Sequence, residues 1–169
     1  MDILTQKRVT DNGDGLGYFR HSVNYIYKEK NEPDEELIQI KGYGVSDTNK
    51  NSTYDQMYAV KKYYRKTGDN PVMHFVVSYD RKTVADAETA CAYTEKIAGH
   101  FNGDYQMITA VHLEDQVNSL YHTHIVMNTV NLNNGKLYHS GKSELNELAM
   151  HVHNVTGNYC KAFIKPSEG

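Results

Sequence analysis

A chain of 169 residues suffices for one domain with a substantial core, and nothing in it calls for two. Its 18 Lys and Arg against 21 Asp and Glu give a formal charge of −3, which excludes a globally basic coat for duplex DNA and confines any nucleic-acid contact to a local patch. Cys91 and Cys160 stand far apart, so neither a zinc-binding spacing nor a disulfide framework is present, which fits a reducing cytoplasm.

In chain order, Met1 to Gly15 ends in the turn-rich DNGDG and is expected to fray unless a neighbour ties it down. Leu16, Phe19, Val23 and Ile26 recur at helical spacing, which turns that stripe to the core and leaves Tyr18, Ser22 and Tyr25 on a different face. Packing alone therefore does not account for Tyr25. Lys28 to Glu36 reads as a charged connector, and the alternation from Leu37 predicts a strand ending near Gly42 or Gly44. Tyr54 to Lys66 is predicted as a helix with Met57, Val60 and Tyr64 inward. Its Lys61, Lys62, Arg65 and Lys66 form the basic run of the chain, a solvated face or a phosphate contact. In the strand MHFVVSYD, His74, Val76 and Ser78 share one face. Thr83 is expected to cap a helix whose stripe is Ala87, Cys91, Thr94, Ala98 and Phe101. A tight turn on NNGK and a last helix from about Ser143 to Tyr159 follow, with His151 and His153 off its apolar stripe. Several hairpin-like connections imply an α+β fold, an antiparallel β-sheet flanked by α-helices. The polar end KPSEG reads as a linker, so residues 1–169 are expected to be the N-terminal domain of a longer protein. No apolar run approaches the roughly 20 residues needed to cross a bilayer and no signal peptide is read, so membrane insertion is not expected.

The informative stretch is AVHLEDQVNSLYHTHIVMNTVN, Ala110 to Asn131. A strand from Tyr121 puts His122, His124, Val126 and Asn128 on one face. A preceding strand, Gln106 to His112, joined through a polar loop of Leu113 to Leu120, would set His112 opposite the pair. Three neutral imidazoles converging in this way can hold a divalent metal ion, Mg, Mn or Zn, and leave positions open for a substrate.

These segments, HFVVSYD and the histidine hairpin behind a helix ending VNYIYK, resemble the conjugative relaxases of the MobP type, within the HUH endonucleases. The resemblance runs from about Val23 through the last helix. It implies an antiparallel sheet sandwiched by helices, and strand-specific nicking of transfer-origin DNA of a plasmid or integrative element. It implies single-stranded DNA as substrate, with accessory relaxosome proteins and a coupling protein as partners in a bacterial cytoplasm. The family's nucleophilic tyrosine falls on Tyr25, which Ile26 follows, and its His-x-x-x-Ser and His-x-His-x-x-x-Asn elements fall on His74 with Ser78 and on His122, His124 with Asn128. Its acidic residue two after the first histidine, commonly Asp, is Glu114 here, and the residue between the paired histidines is Thr123. A covalent 5′-phosphotyrosyl intermediate would follow, with metal on His112, His122 and His124 as Lewis acid. The histidines alone also suit a water-using metallohydrolase or a non-catalytic single-strand binder braced by metal.

Overall fold

The computed structural model describes residues 1–8, 16–27, 35–68, 72–115 and 117–166. The elements run β1 (Asp2–Arg8), α1 (Leu16–Tyr27), β2 (Glu36–Tyr43), α2 (Lys50–Tyr63), β3 (Val72–Ser78), α3 (Ala87–Ala98), β4 (Met107–Asp115), β5 (Leu120–Asn128), α4 (Lys142–Thr156) and β6 (Cys160–Pro166). Six strands make one sheet in the order β2-β4-β5-β3-β1-β6. The pairings are antiparallel except that of β1 with β6, which is parallel. This is the α+β sheet flanked by helices that the element order implies.

Side-chain alternation divides the core in two. Val72, Ile108, Ala110 and Val126 face one way and bury Phe19, Val23 and Ile26 of α1 and Met57 of α2. Phe75, Val77, Met107, Val111, Ile125 and Met127 face the other way and pack against α3 and α4 through Ala90, Ile97, Leu148 and Val152. The helical stripe read for α1 is the buried one at Phe19, Val23 and Ile26.

Several expectations need correction. Neighbours do tie the N-terminus down: residues 2–8 form β1, an inner strand between β3 and β6, a strand not anticipated in the sequence, while the turn-rich stretch at 9–15 lies outside the described residues. Asp2 anchors it, fully buried, with Oδ1 accepting from the Asp80 amide at 2.8 Å and from the Thr83 hydroxyl at 2.8 Å. Thr83 is thereby a buried partner of Asp2, and the α3 cap is Asp86, whose carboxylate accepts from the Thr89 amide at 2.7 Å. The α3 stripe is correspondingly shifted to Ala90, Thr94, Ile97 and Ala98. Helix α2 begins at Lys50, one turn before Tyr54, because Asn49 caps it through the Ser52 amide. It stops at Tyr63, and Arg65 has φ of 58°, outside any helix. Strand β4 continues to Asp115, so the hairpin loop is shorter than Leu113 to Leu120. The last helix ends at Thr156, where Gly157 takes φ of 77° and accommodates the left-handed turn. That turn releases the chain into β6 and leaves Tyr159 exposed. The connector at 28–34 and most of the turn at 68–71 lie outside the described residues.

Candidate active site

Register delivers the histidines to one place. In the β4–β5 pair, His112 stands directly opposite His122 and Ala110 opposite His124. In the β3–β5 pair, Val76 stands opposite His124 and Ser78 opposite His122. Residues directly opposite across an antiparallel pair share a face, so His74, Ser78, His112, His122 and His124 all lie on the α1 side of the sheet. The next register step adds Lys7 of β1, opposite His74. Tyr25, half-buried on α1, lies over this group. Its ring centroid is 5.6 Å from that of His124, 5.8 Å from His74 and 6.4 Å from His112. The Lys7 ammonium lies 5.1 Å from the Tyr25 ring centroid.

The nitrogens are arranged for ligation. His112 donates from Nδ1 to Glu35 at 2.7 Å, and His122 Nδ1 pairs with Glu114 at 2.7 Å. His124 Nδ1 lies 3.3 Å from His74 Nε2. The carboxylates engage Nδ1 of His112 and His122, which leaves Nε2 as the donor each could give a metal, while Nδ1 of His124 faces His74. The Nε2 of His124 is fully buried and has no hydrogen-bond partner among the described residues, a costly state unless a ligand satisfies it. Glu35, His112 and His124 offer donor atoms within 4.8 Å of one another. His122 stands outside that tight group, its ring 6.3 Å from that of His124.

Protonation favours the same use. Burial pushes the His74 imidazole down to about 3, helped by the Lys7 ammonium and by His112 and His21. Burial also holds His124 well below the ordinary histidine range, with His74, His112 and His122 adding to it. His122 is lowered by burial as well, although Glu114 and Glu35 oppose the shift. These rings are neutral at pH 7, the form that binds metal.

A cluster of buried neutral imidazoles under a tyrosine is chemistry that many folds could host, and comparison with known families decides among them. The family described as relaxase, MobA/VirD2-like, nuclease domain matches residues 25–159. The chain belongs to that family. No curated protein matches it. Relaxase nuclease domains nick DNA and generally use a divalent metal, and the residues here fit one: His112 and His124 offer donor atoms close together, Glu35 supports the His112 ring, and the buried Nε2 of His124 lacks a hydrogen-bond partner among the described residues.

Not every residue singled out from the relaxase sequence sits at this centre. Asn128 is fully buried two residue pairs along β5, where its amide donates to Met57 O at 3.1 Å and Gln106 Oε1 at 2.9 Å. Lys61 is not on the basic face. It is fully buried, its ammonium donating to Asn128 Oδ1 at 2.7 Å, and it supports the interior under α2 rather than meeting a phosphate. Charge alone groups Lys61 with the basic run, whereas a four-carbon stem packs like an aliphatic chain when its head finds acceptors. Lys62 and Arg65 remain exposed. Ser78 is half-buried at the end of β3.

Two residues of the relaxase centre escaped the sequence. Glu35 precedes β2 in the run Glu35, Glu36, and only the β2–β4 pairing, Leu37 opposite His112, brings it to a histidine. Lys7 was lost with the strand that carries it. The alternation of Ile3, Thr5 and Lys7 against Leu4 and Gln6 is a weak signal in a polar segment, and it could have been found only by requiring a partner for the outer edge of β3.

Proposed function

We propose that this relaxase nicks one strand of transfer-origin DNA by transesterification on Tyr25, for conjugative transfer or mobilization of a plasmid or integrative element. The observation that carries the reading is the placement of the Tyr25 ring against His74, His112 and His124. Three imidazoles converging under one half-buried phenol is the arrangement a tyrosine nucleophile beside a metal site needs. The Tyr25 oxygen attacks the scissile phosphorus, forming a phosphotyrosyl ester with the 5′ side while the 3′ oxygen leaves with the bonding pair and takes up a proton. No water is consumed, so the free 3′-hydroxyl can reverse the step.

His112 and His124 would hold the divalent ion, Mg, Mn or Zn, with Glu35 beside them and His122 completing the set, and bound metal would supply charge neutralisation on a non-bridging oxygen. Glu35 and Glu114 orient His112 and His122 through their Nδ1 atoms. Lys7 places a second positive charge beside Tyr25, where it offsets the charge that builds on the phosphate. Ser78, level with His122, stands where a strand entering the centre would pass. Accessory relaxosome proteins and a coupling protein belong to the same reading, with action in the bacterial cytoplasm. Among the described residues no helix is long and apolar enough to cross a membrane.

The test is to incubate the protein with single-stranded oligonucleotides from its own element and Mn²⁺ and to resolve the products under denaturing conditions. A protein band shifted by covalent DNA, with a matching free 3′-hydroxyl fragment, is expected. Cleavage with a 5′-phosphate and no adduct would instead identify a water-using hydrolase.

A further inference from the structure

Two of the three histidines on β4 and β5 are braced by carboxylates. Glu35 accepts from Nδ1 of His112 and Glu114 pairs with Nδ1 of His122, each at 2.7 Å. His124 has no carboxylate partner among the described residues. Its Nδ1 faces Nε2 of His74 instead, at 3.3 Å. Register explains this contact, since His124 stands opposite Val76 and His74 opposite Val126, which makes the two rings diagonal neighbours on one face. Both residues are only 3 % exposed. Ser78, on the same face of β3, is half-buried at the strand end, whereas the His74 ring lies against that of Tyr25 and offers a nucleotide almost no surface.

Two neutral rings in contact must divide donor and acceptor between them, and the far nitrogen of His124 decides which is which. That Nε2 is buried with no hydrogen-bond partner among the described residues. Were Nδ1 of His124 the acceptor, Nε2 would carry the proton, an N–H sealed away from any acceptor and unable to meet a cation. With Nδ1 as donor, Nε2 is a bare lone pair, which a cation satisfies.

We infer that His74 is a positioning residue: by accepting from Nδ1 of His124 it holds the tautomer and ring orientation in which Nε2 of His124 is free to bind the metal ion. The inference rests on the metal ligation proposed above. An imidazole does here what Glu35 and Glu114 do for His112 and His122, and it does so without adding charge. Those two carboxylates already match the charge of one divalent ion, so a third would oppose the approach of a phosphodiester. A neutral acceptor orients the ligand and leaves the centre open to an anion.

The experiment compares His74→Leu, which fills the space without an acceptor, with His74→Gln, whose amide oxygen can take the place of Nε2. Mn²⁺ binding is measured by titration calorimetry on the full chain, and long-range ¹H–¹⁵N correlation spectra of the metal-free protein report which nitrogen of His124 carries the proton. His74→Leu is expected to lose on the order of 10- to 100-fold in Mn²⁺ affinity, together with the Nδ1–H tautomer of His124. His74→Gln is expected to keep both close to wild type. Unchanged Mn²⁺ affinity in His74→Leu would overturn the inference, and so would an equal loss in the two variants, which would make His74 a ligand in its own right. A wild-type spectrum with the His124 proton on Nε2 would overturn it whether or not either variant folds. If the wild type binds no Mn²⁺ while the spectra follow the variants as expected, the hydrogen bond from His124 to His74 stands and the metal reading fails.

Discussion

At the scale of single residues, the assignment of chemistry turns on which tyrosine is placed to react. Tyr27 packs against the α1–α2 core and bonds the Thr53 hydroxyl at 2.5 Å, and burial pushes its phenol upward. Tyr18 packs against the same core and is raised for the same reason. The ring of Tyr25, by contrast, lies against His74, His112 and His124. Tyr25→Phe removes one oxygen and keeps the ring, so it should abolish adduct and nicking while shifting single-strand affinity and thermal midpoint hardly at all. Peptide mapping that placed the nucleotide on Tyr18 or Tyr27 would refute the assignment. Lys7→Met should keep the adduct on Tyr25 but slow its formation by on the order of 10²-fold, a comparison best made in single turnover. A second residue prediction concerns Lys61. Burial among neutral partners, Asn128, Thr129 and the Phe19 ring, lowers its ammonium to about 7. The unfolded chain keeps that proton up to about 10.4. Between these values the unfolded state binds more protons, so this lysine makes stability rise with pH, and the desolvation penalty is fully present below about 7. Lys61→Met should flatten that rise between pH 7 and 10 by roughly 3 kcal/mol in urea titrations, because the methionine stem fills the same space without a charge. A wild-type curve already flat over this interval would contradict the account.

At the scale of elements, what was legible follows from periodicity, and what was not follows from partnership. Helix α1, strand β3 and the β4–β5 hairpin show their faces in sequence because one side of each is buried continuously, so Phe19, Val23 and Ile26 or His122, His124 and Val126 announce themselves by spacing. Strands β1 and β6 do not. Their segments, DILTQKR and CKAFIKP, are short and partly charged; β1 becomes a strand because β3 and β6 supply its hydrogen bonds, and β6 because β1 does. Parallel pairing between two segments at opposite ends of the chain leaves no local mark. The same gap hid Lys7, and Glu35 was hidden because its value depends on β2 lying beside β4 in one register. The buried Asp2 is where this pairing is most exposed to test. It accepts from the Asp80 amide and the Thr83 hydroxyl, with Thr156 at 3.3 Å. Asp2→Ala leaves those donors unsatisfied in the interior, at a cost of about 3 kcal/mol. The midpoint in urea should fall accordingly, and amide exchange in β1 and β6 should accelerate before that in β4 and β5. Uniform acceleration across the sheet would show that β1 is not held separately.

At the scale of the whole molecule, the centre belongs to no single element. Glu35 enters it from just before β2, His112 from β4, His122 and His124 from β5, His74 from β3, Lys7 from β1 and Tyr25 from α1. A divalent ion seated on His112 and His124 would tie adjacent strands at the centre of the sheet together, so its binding should register as global stability. With Mn²⁺ at about a hundred times its dissociation constant, the gain is about 2.7 kcal/mol. For a domain of this size, that corresponds to roughly 5–10 °C in the thermal midpoint. The pH dependence of this gain separates the buried centre from an ordinary surface cluster of histidines. Surface imidazoles protonate near 6.5 and surrender metal as pH falls through that value. Here burial holds His124 well below that value, and His122 is lowered too, so protons compete only at lower pH. The Mn²⁺ shift measured by calorimetry at pH 6 should therefore match that at pH 7.5. It should vanish in His124→Ala, which removes the buried Nε2 that has no other partner, and persist in Tyr25→Phe, which leaves the donors intact. A shift that faded between pH 7.5 and 6, or that survived His124→Ala, would place the metal elsewhere on the molecule.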